Sequence, residues 1–112
     1  MTSPLQEPTF LILAALAEQP MHGYGVIQEV AGLSGGRVKL RPGTLYGALD
    51  RLVEQGLVDT DREEIVDGRL RRYYRLSEDG ASVLEAEAER LASNAKAAVQ
   101  RLKRRQPGLA HG

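Results

Sequence analysis

Apolar residues fall into three regimes along the chain. They run nearly unbroken from Phe10 to Ala17 (FLILAALA), recur three or four apart between Val26 and Val53, and repeat in sevens from Leu84 to Leu102. The first regime predicts a helix over Pro8–Glu18, with Pro8 in its first turn and Pro20 ending it. A helix that is apolar all round has to be covered on two sides. Its own domain supplies one cover; the other is open to a second subunit, unless this is simply a central core helix. The second regime predicts two helices. One runs from about His22 to Leu33, enters through a tight joint at Met21–Tyr24, turns Val26, Ile27 and Val30 inward, and is broken by Gly32, Ser34, Gly35 and Gly36. The other follows an extended approach over Val38–Arg41 and carries Pro42 in its first turn, where a missing N–H costs nothing. Its apolar stripe is Leu45, Leu49, Leu52 and Val53, and Gly56 stops it. Thr44, Gly47, Ala48 and Arg51 are expected on its opposite face.

Between Leu57–Ile65 and Leu70–Leu76 lies Val66-Asp67-Gly68-Arg69. Asp-Gly between two extended runs is a strong hairpin signal. The first arm holds Asp59, Asp61, Glu63 and Glu64 and the second Arg69, Arg71, Arg72 and Arg75, which predicts cross-strand ion pairs. Tyr73 and Tyr74 are strand neighbours, so one packs inward and the other lies outward. Ser77 is an N-cap for a final helix over Glu78–Arg105, with Glu78 and Asp79 in its first turn. Along that helix Leu84, Leu91 and Ala98 are spaced by seven, as are Ala88, Ala95 and Leu102. Such a two-position seam is too long to bury against so small a domain and predicts self-association. The expected division is a helix-and-hairpin domain over residues 8–76, a dimerisation helix over 77–105 and a frayed tail over 106–112.

Composition narrows the function by exclusion. In 112 residues there are 15 basic and 15 acidic side chains, a formal net charge of zero and no cysteine. Disulfides, thiolate metal sites and cysteine nucleophiles are therefore excluded. His22 and His111 are the only histidines, too few for a histidine metal cluster. Neither a metal nor any other cofactor is expected. The apolar run is too short to span a membrane, and Gln6 and Glu7 stand where a signal peptide would carry basic residues, so a cytoplasmic location is expected. No nucleophile–base pair or phosphate loop is present, so no enzyme is expected. Nucleic-acid binding survives only if charge is segregated.

Two places fit it. The face of the third helix, small and singly charged, suits approach to base edges in a major groove. The hairpin tip carries Arg69 and Arg71, suited to phosphates or a narrow minor groove. Lys39, just ahead of the third helix, joins this set. His22 has no partner constellation and is expected to cap or pack at its joint.

The order helix, helix, recognition-type helix, hairpin, long helix describes a mainly α chain with a small β-hairpin: a winged helix-turn-helix plus a long C-terminal dimerisation helix. The blocks MHGYGVIQEV (21–30), GTLYGALDRLVEQGLV (43–58) and GRLRRYYRLSEDG (68–80) resemble the PadR family of bacterial transcription regulators, in the right order and spacing. The resemblance spans Pro8 to Leu102. It implies a homodimeric repressor that binds a double-stranded DNA operator near its own promoter and is relieved by an unidentified small-molecule effector. Carried over by motif, Thr44, Leu45 and Tyr46 open the recognition helix, with Thr44 and Tyr46 near DNA and Gly47 and Arg51 on the same helix. Tyr24 stands where the second helix meets the phosphate backbone, and Gly68, Arg69 and Arg71 form the wing tip. Family dimers pair the C-terminal helix with the partner's first helix, which assigns Phe10, Leu13, Leu84, Ala88, Leu91, Ala95, Ala98 and Leu102 to the interface. Two departures stand out. Gly47 replaces a frequent proline, at a cost of about 1 kcal/mol of helix stability relative to alanine. The absence of tryptophan, with Phe10 the only phenylalanine, argues against a flat aromatic ligand sandwich. The competing reading is a winged-helix module for protein–protein contact.

Overall fold

The computed structural model describes residues 4–105. Helix α1 (Glu7–Ala15) is followed by a two-residue strand β1 (Met21–His22), helices α2 (Gly23–Leu33) and α3 (Pro42–Glu54), strands β2 (Val58–Val66) and β3 (Arg69–Leu76), and helix α4 (Glu78–Arg104). The three strands form one antiparallel sheet in the order β1-β3-β2. Helix α1 stops at Ala15 rather than at Glu18. Pro20 disfavours helical backbone in the residue before it, and the released segment lets Met21 and His22 pair with Tyr74 and Tyr73.

The core is built by Ile12, Leu13, Ala15 and Leu16 of α1, Val26 and Val30 of α2, Leu45, Ala48, Leu49 and Leu52 of α3, with Val58 and Tyr74 from the sheet. Three expectations are corrected here. Leu13, assigned to a subunit interface, is fully buried in its own domain, because α1 turns the 12–13–16 side into the core. Ala48 faces inward, since it lies about 40° beyond Leu52 on the helical wheel and so extends the buried stripe of Leu45, Leu49 and Leu52. Val53, one step past that stripe, is 37% exposed. Phe10 is half-buried.

The end of α3 closes with Gly56 in the left-handed conformation, and Leu57 N–H reaches back to the Leu52 carbonyl at 2.9 Å, the Schellman arrangement. At the hairpin tip Asp67 (φ 52°) and Gly68 (φ 76°) both have positive φ, as a tight two-residue turn requires. The ladder is not continuous: between Thr60 and Glu63 the register shifts, leaving Asp61 and Arg62 outside the pairing. Strand alternation alone does not predict this local bulge. Tyr74 is buried and Tyr73 lies half-exposed, as that alternation demands.

Helix α4 is bolted to the α3–β2 corner. Ser77 Oγ accepts from Gly80 N–H (2.9 Å) and donates to the Gly56 carbonyl (2.7 Å), while Ser77 N–H donates to the Leu57 carbonyl (3.1 Å). A Cβ on Gly80 would lie 2.8 Å from Leu76 Cδ1 and press into the Leu57 carbonyl oxygen, so the helix approaches the corner only through a glycine. The last buried residue of α4 is Glu87. Its carboxylate accepts from Leu5 N–H (2.6 Å) and from Arg90 Nε and Nη2 (2.8 and 2.9 Å), tying the N-terminal arm to α4. The Arg90 guanidinium, then the Leu5 N–H, hold the Glu87 carboxyl down to about 2. Leu84, assigned to the interface, is half-buried against its own core. From Ala88 to Arg105 every residue is exposed. At 1.5 Å per residue that segment is about 27 Å of projecting helix, which gives the molecule its 65 × 30 × 21 Å shape. The tail expected over 106–112 lies outside the described residues.

Candidate nucleic-acid interface

The antiparallel pairing of β1 with β3 sets the first turn of α2 beside the hairpin, and α3 lies across the same end. The Tyr46 ring covers Gly23: a Cβ there would stand 2.6 Å from Tyr46 Cζ. Only glycine lets the two helices meet with this tyrosine between them. The result is a cleft of about 480 Å³ lined by Tyr24 and Tyr46 from the two helices, His22 from β1, and Val66, Asp67, Arg69, Leu70, Arg71 and Arg72 from the hairpin. Tyr24 is 62% and Tyr46 44% exposed, so both side chains are partly open to solvent.

Charge around the cleft is segregated in the way that overall neutrality had left open. Arg72 is committed to Glu63 (3.1 Å) and Arg75 faces Asp59 (3.6 Å), the cross-strand pairs expected from the divided arms. Arg62 pairs within its own strand with Asp61 (3.0 Å) and stacks 3.9 Å over the Tyr73 ring. Glu64, though opposite Arg71 in register, accepts instead from the Tyr73 hydroxyl (2.6 Å). Among the described residues, Arg69 and Arg71 therefore have no ion-pair partner. Two cations with no carboxylate within ion-pair distance, beside two tyrosines, make this an anion-attracting surface, with Asp67 the one acid lining the cleft.

Of the nine residues expected at DNA, the cleft gathers Tyr24, Tyr46, Arg69 and Arg71. Gly68 sits at the adjoining turn, and Lys39 and Thr44 are exposed just before and within the first turn of α3. Arg51 does not join them. At about 100° per residue it points some 140° away from Tyr46, and it borders a separate hollow with Pro4, Leu5, Gln6 and Gln55. Gly47 lies under it, its Cβ position 3.6 Å from Arg51 Nη1.

His22 is the cleft residue to which the sequence assigns only a structural part. It stands at the N-cap position of α2 but makes no side-chain cap bond; its packing is edge-on against Tyr73 at 5.5 Å. Burial, then the Arg71 charge, push its imidazole below the ordinary histidine value, with Glu64 opposing. The signal that would have found it is the pairing of β1 with β3, and two residues carry no periodicity to detect.

Among the described residues, no helix is long and apolar enough to cross a membrane, and no group of three or more acidic or histidine side chains is placed to hold a metal ion.

The profile of the transcriptional regulator PadR-like family matches residues 12–86. The transcriptional regulator Rv3488 of Mycobacterium tuberculosis is 40% identical over 73 residues, 65% of this chain and 64% of its own. Transcriptional regulator YqjI of Escherichia coli is 35% identical over 85 residues, 76% of this chain and 39% of its own. The chain spans from 22% to 68% of the length of such curated relatives. A PadR family transcription regulator from Clostridium difficile shares the fold with a TM-score of 0.68 at 27% identity, over 87% of this chain and 99% of the other. Bacillus subtilis PadR, solved in complex with operator DNA, matches in fold with a TM-score of 0.63 at 19% identity, over 91% and 51% of the two chains. With the profile running from α1 through the root of α4, this winged-helix chain belongs to the PadR-like family of transcriptional regulators.

Proposed function

We propose that the protein is a homodimeric, sequence-specific DNA-binding repressor that acts in the cytoplasm on an operator near its own promoter. The observation that carries this reading is the cleft where Tyr24 and Tyr46 meet Arg69 and Arg71. Phosphate contacts there would fix register, while Thr44 at the start of α3 would read base edges. The operator complex of the Bacillus subtilis relative supports it. Dimerisation is supported by the projecting part of α4, where Leu91 (40% exposed), Val99 (48%) and Leu102 (64%) lie among Ala88, Ala95 and Ala98. Val99 widens the seam expected from the heptads. An apolar stripe of this length in water calls for a partner, and its small residues allow a second helix to approach closely. Half-buried Phe10 offers the contact expected from α1. Relief by a small-molecule effector belongs to the same reading.

The test is a fluorescence-anisotropy titration against a duplex from just upstream of the protein's own gene and a scrambled duplex, at low and near-physiological salt. Tight, selective binding is expected. If about six phosphates are neutralised, raising salt from about 50 to 200 mM lowers affinity about a thousandfold. No binding to either duplex at low salt would overturn the proposal in favour of a protein-interaction module.

A further inference from the structure

His22 lines the cleft, and the DNA-binding reading above gives it no part. We propose that His22 is a phosphate ligand of the DNA-binding cleft and that it makes operator affinity depend on proton concentration, the protein binding DNA more tightly as pH falls below neutrality. The inference rests on the DNA-binding reading given above.

The geometry supplies three arguments. First, the His22 ring borders the same cleft as Tyr24, Tyr46, Arg69 and Arg71. It therefore lies on the surface that would receive a backbone phosphate. Second, the ring is held but not used. It packs edge-on against Tyr73 and alongside Gly25, whose Cβ position is 3.4 Å from His22 Cε1. Yet neither ring nitrogen hydrogen-bonds to any described residue, and neither is sealed from solvent. Third, what surrounds it favours the neutral ring only while the cleft is empty. Arg71 on β3 repels an added positive charge, and burial acts in the same direction. Asp67 and Glu64 on the hairpin are the nearby acids, and Glu64 is occupied by the Tyr73 hydroxyl and by Arg62 (3.8 Å). Arg69 and Arg72 add further positive charge, and Tyr24 and Tyr46 are neutral donors.

A phosphate entering the cleft reverses this balance. It neutralises Arg71 and adds an acceptor for a protonated imidazole, so binding raises the proton affinity of His22. By linkage, a proton taken up on binding strengthens binding as pH falls. A rise of about one pKa unit, usual for an adjacent opposite charge, makes binding about tenfold tighter per protomer at the acidic end.

The chain has two histidines, His22 and His111, which makes the experiment clean. Operator affinity would be titrated from about pH 7.5 to about pH 5.5 at constant salt for the wild type, H111Q and H22Q, reading the slope of affinity against pH. Wild type and H111Q should tighten on acidification, and H22Q should be flat. Should H22Q fail to fold, H111Q alone suffices: its single imidazole is followed by NMR with and without duplex, and the duplex should raise its titration midpoint. A slope shared by wild type and H22Q, a wild-type slope of zero, or a His22 midpoint unmoved by DNA overturns the inference and leaves the DNA-binding reading intact. Absence of duplex binding at every pH overturns both.

Discussion

Leu49 on α3 and Leu91 on α4 occupy equivalent places, each in the apolar stripe of an amphipathic helix, yet Leu49 is 0% exposed and Leu91 is 40% exposed. The difference runs through the whole molecule. In the head, α1, α2, α3 and the sheet close on one another and bury their stripes within one chain. In the rod, α4 leaves the head after Glu87 and carries its stripe into solvent. Amphipathicity alone therefore says that a helix needs a neighbour; whether that neighbour is intramolecular depends on how far the helix extends beyond the core. The head covers its own apolar stripes, whereas the stripe of the rod has no neighbour among the described residues.

The largest effect that would break this contrast is expected from Leu49→Ala. Removing a fully buried leucine side chain typically costs about 2–5 kcal/mol, and a loss in that range is expected here. Because the loss lies inside one head, the shift in a urea unfolding midpoint should be the same at every protein concentration. A loss below about 1 kcal/mol would mean that the head is not tightly packed.

Leu91→Lys should act on the rod alone. Sedimentation should show a monomer, and the concentration dependence of the wild-type melting temperature should disappear while the head stays folded. DNA affinity should fall with the dimer. A variant still dimeric at micromolar concentration would refute the assignment of α4 as the interface.

Within the head, Arg69→Ala and Thr44→Ala should separate positioning from reading. Arg69→Ala should weaken binding to all duplexes alike and make the salt dependence shallower, by about one in the log–log slope for a single phosphate no longer neutralised. Thr44→Ala should shift discrimination at one base pair by about 1–3 kcal/mol. Operator affinity unchanged in both would show that the cleft is not where DNA docks.

The smallest effect concerns the joint between head and rod. Glu87 has a depressed pKa, so its contribution to stability is complete above the ordinary carboxylate value of 4.5 and is lost as pH falls towards about 2. Glu87→Gln should lower the melting temperature at neutral pH, and its difference from wild type should close across that acidic window. A difference that persists at the acid end would remove the Arg90 and Leu5 contacts as its cause.

Features governed by short-range rules are legible in the chain. Pro42 starts α3, Gly56 ends it, Asp67-Gly68 turns the hairpin and Ser77 caps α4, because each depends on backbone geometry within a few residues. Position on a helical wheel is harder to judge without knowing the neighbour. Reading the sequence puts Ala48 outward and Val53 inward, and the family resemblance gives Leu13 to the partner, whereas the head buries Ala48 and Leu13 and leaves Val53 exposed. Strand β1 and the bulge at Asp61 and Arg62 leave no pattern, since two paired residues and two unpaired ones are too few to show a period.

The sequence by itself determined the succession of elements, the divided charges of the hairpin and the motifs that place the chain in its family, all encoded locally. Only the tertiary structure decided which residues share a surface. His22, Tyr24, Tyr46 and Arg71 come together because β1 pairs with β3 and Gly23 admits the Tyr46 ring. Arg51, five positions from Tyr46, is turned to another side by the helical repeat. Distance along the chain measures neither effect; pairing across the sheet and rotation about a helix axis do.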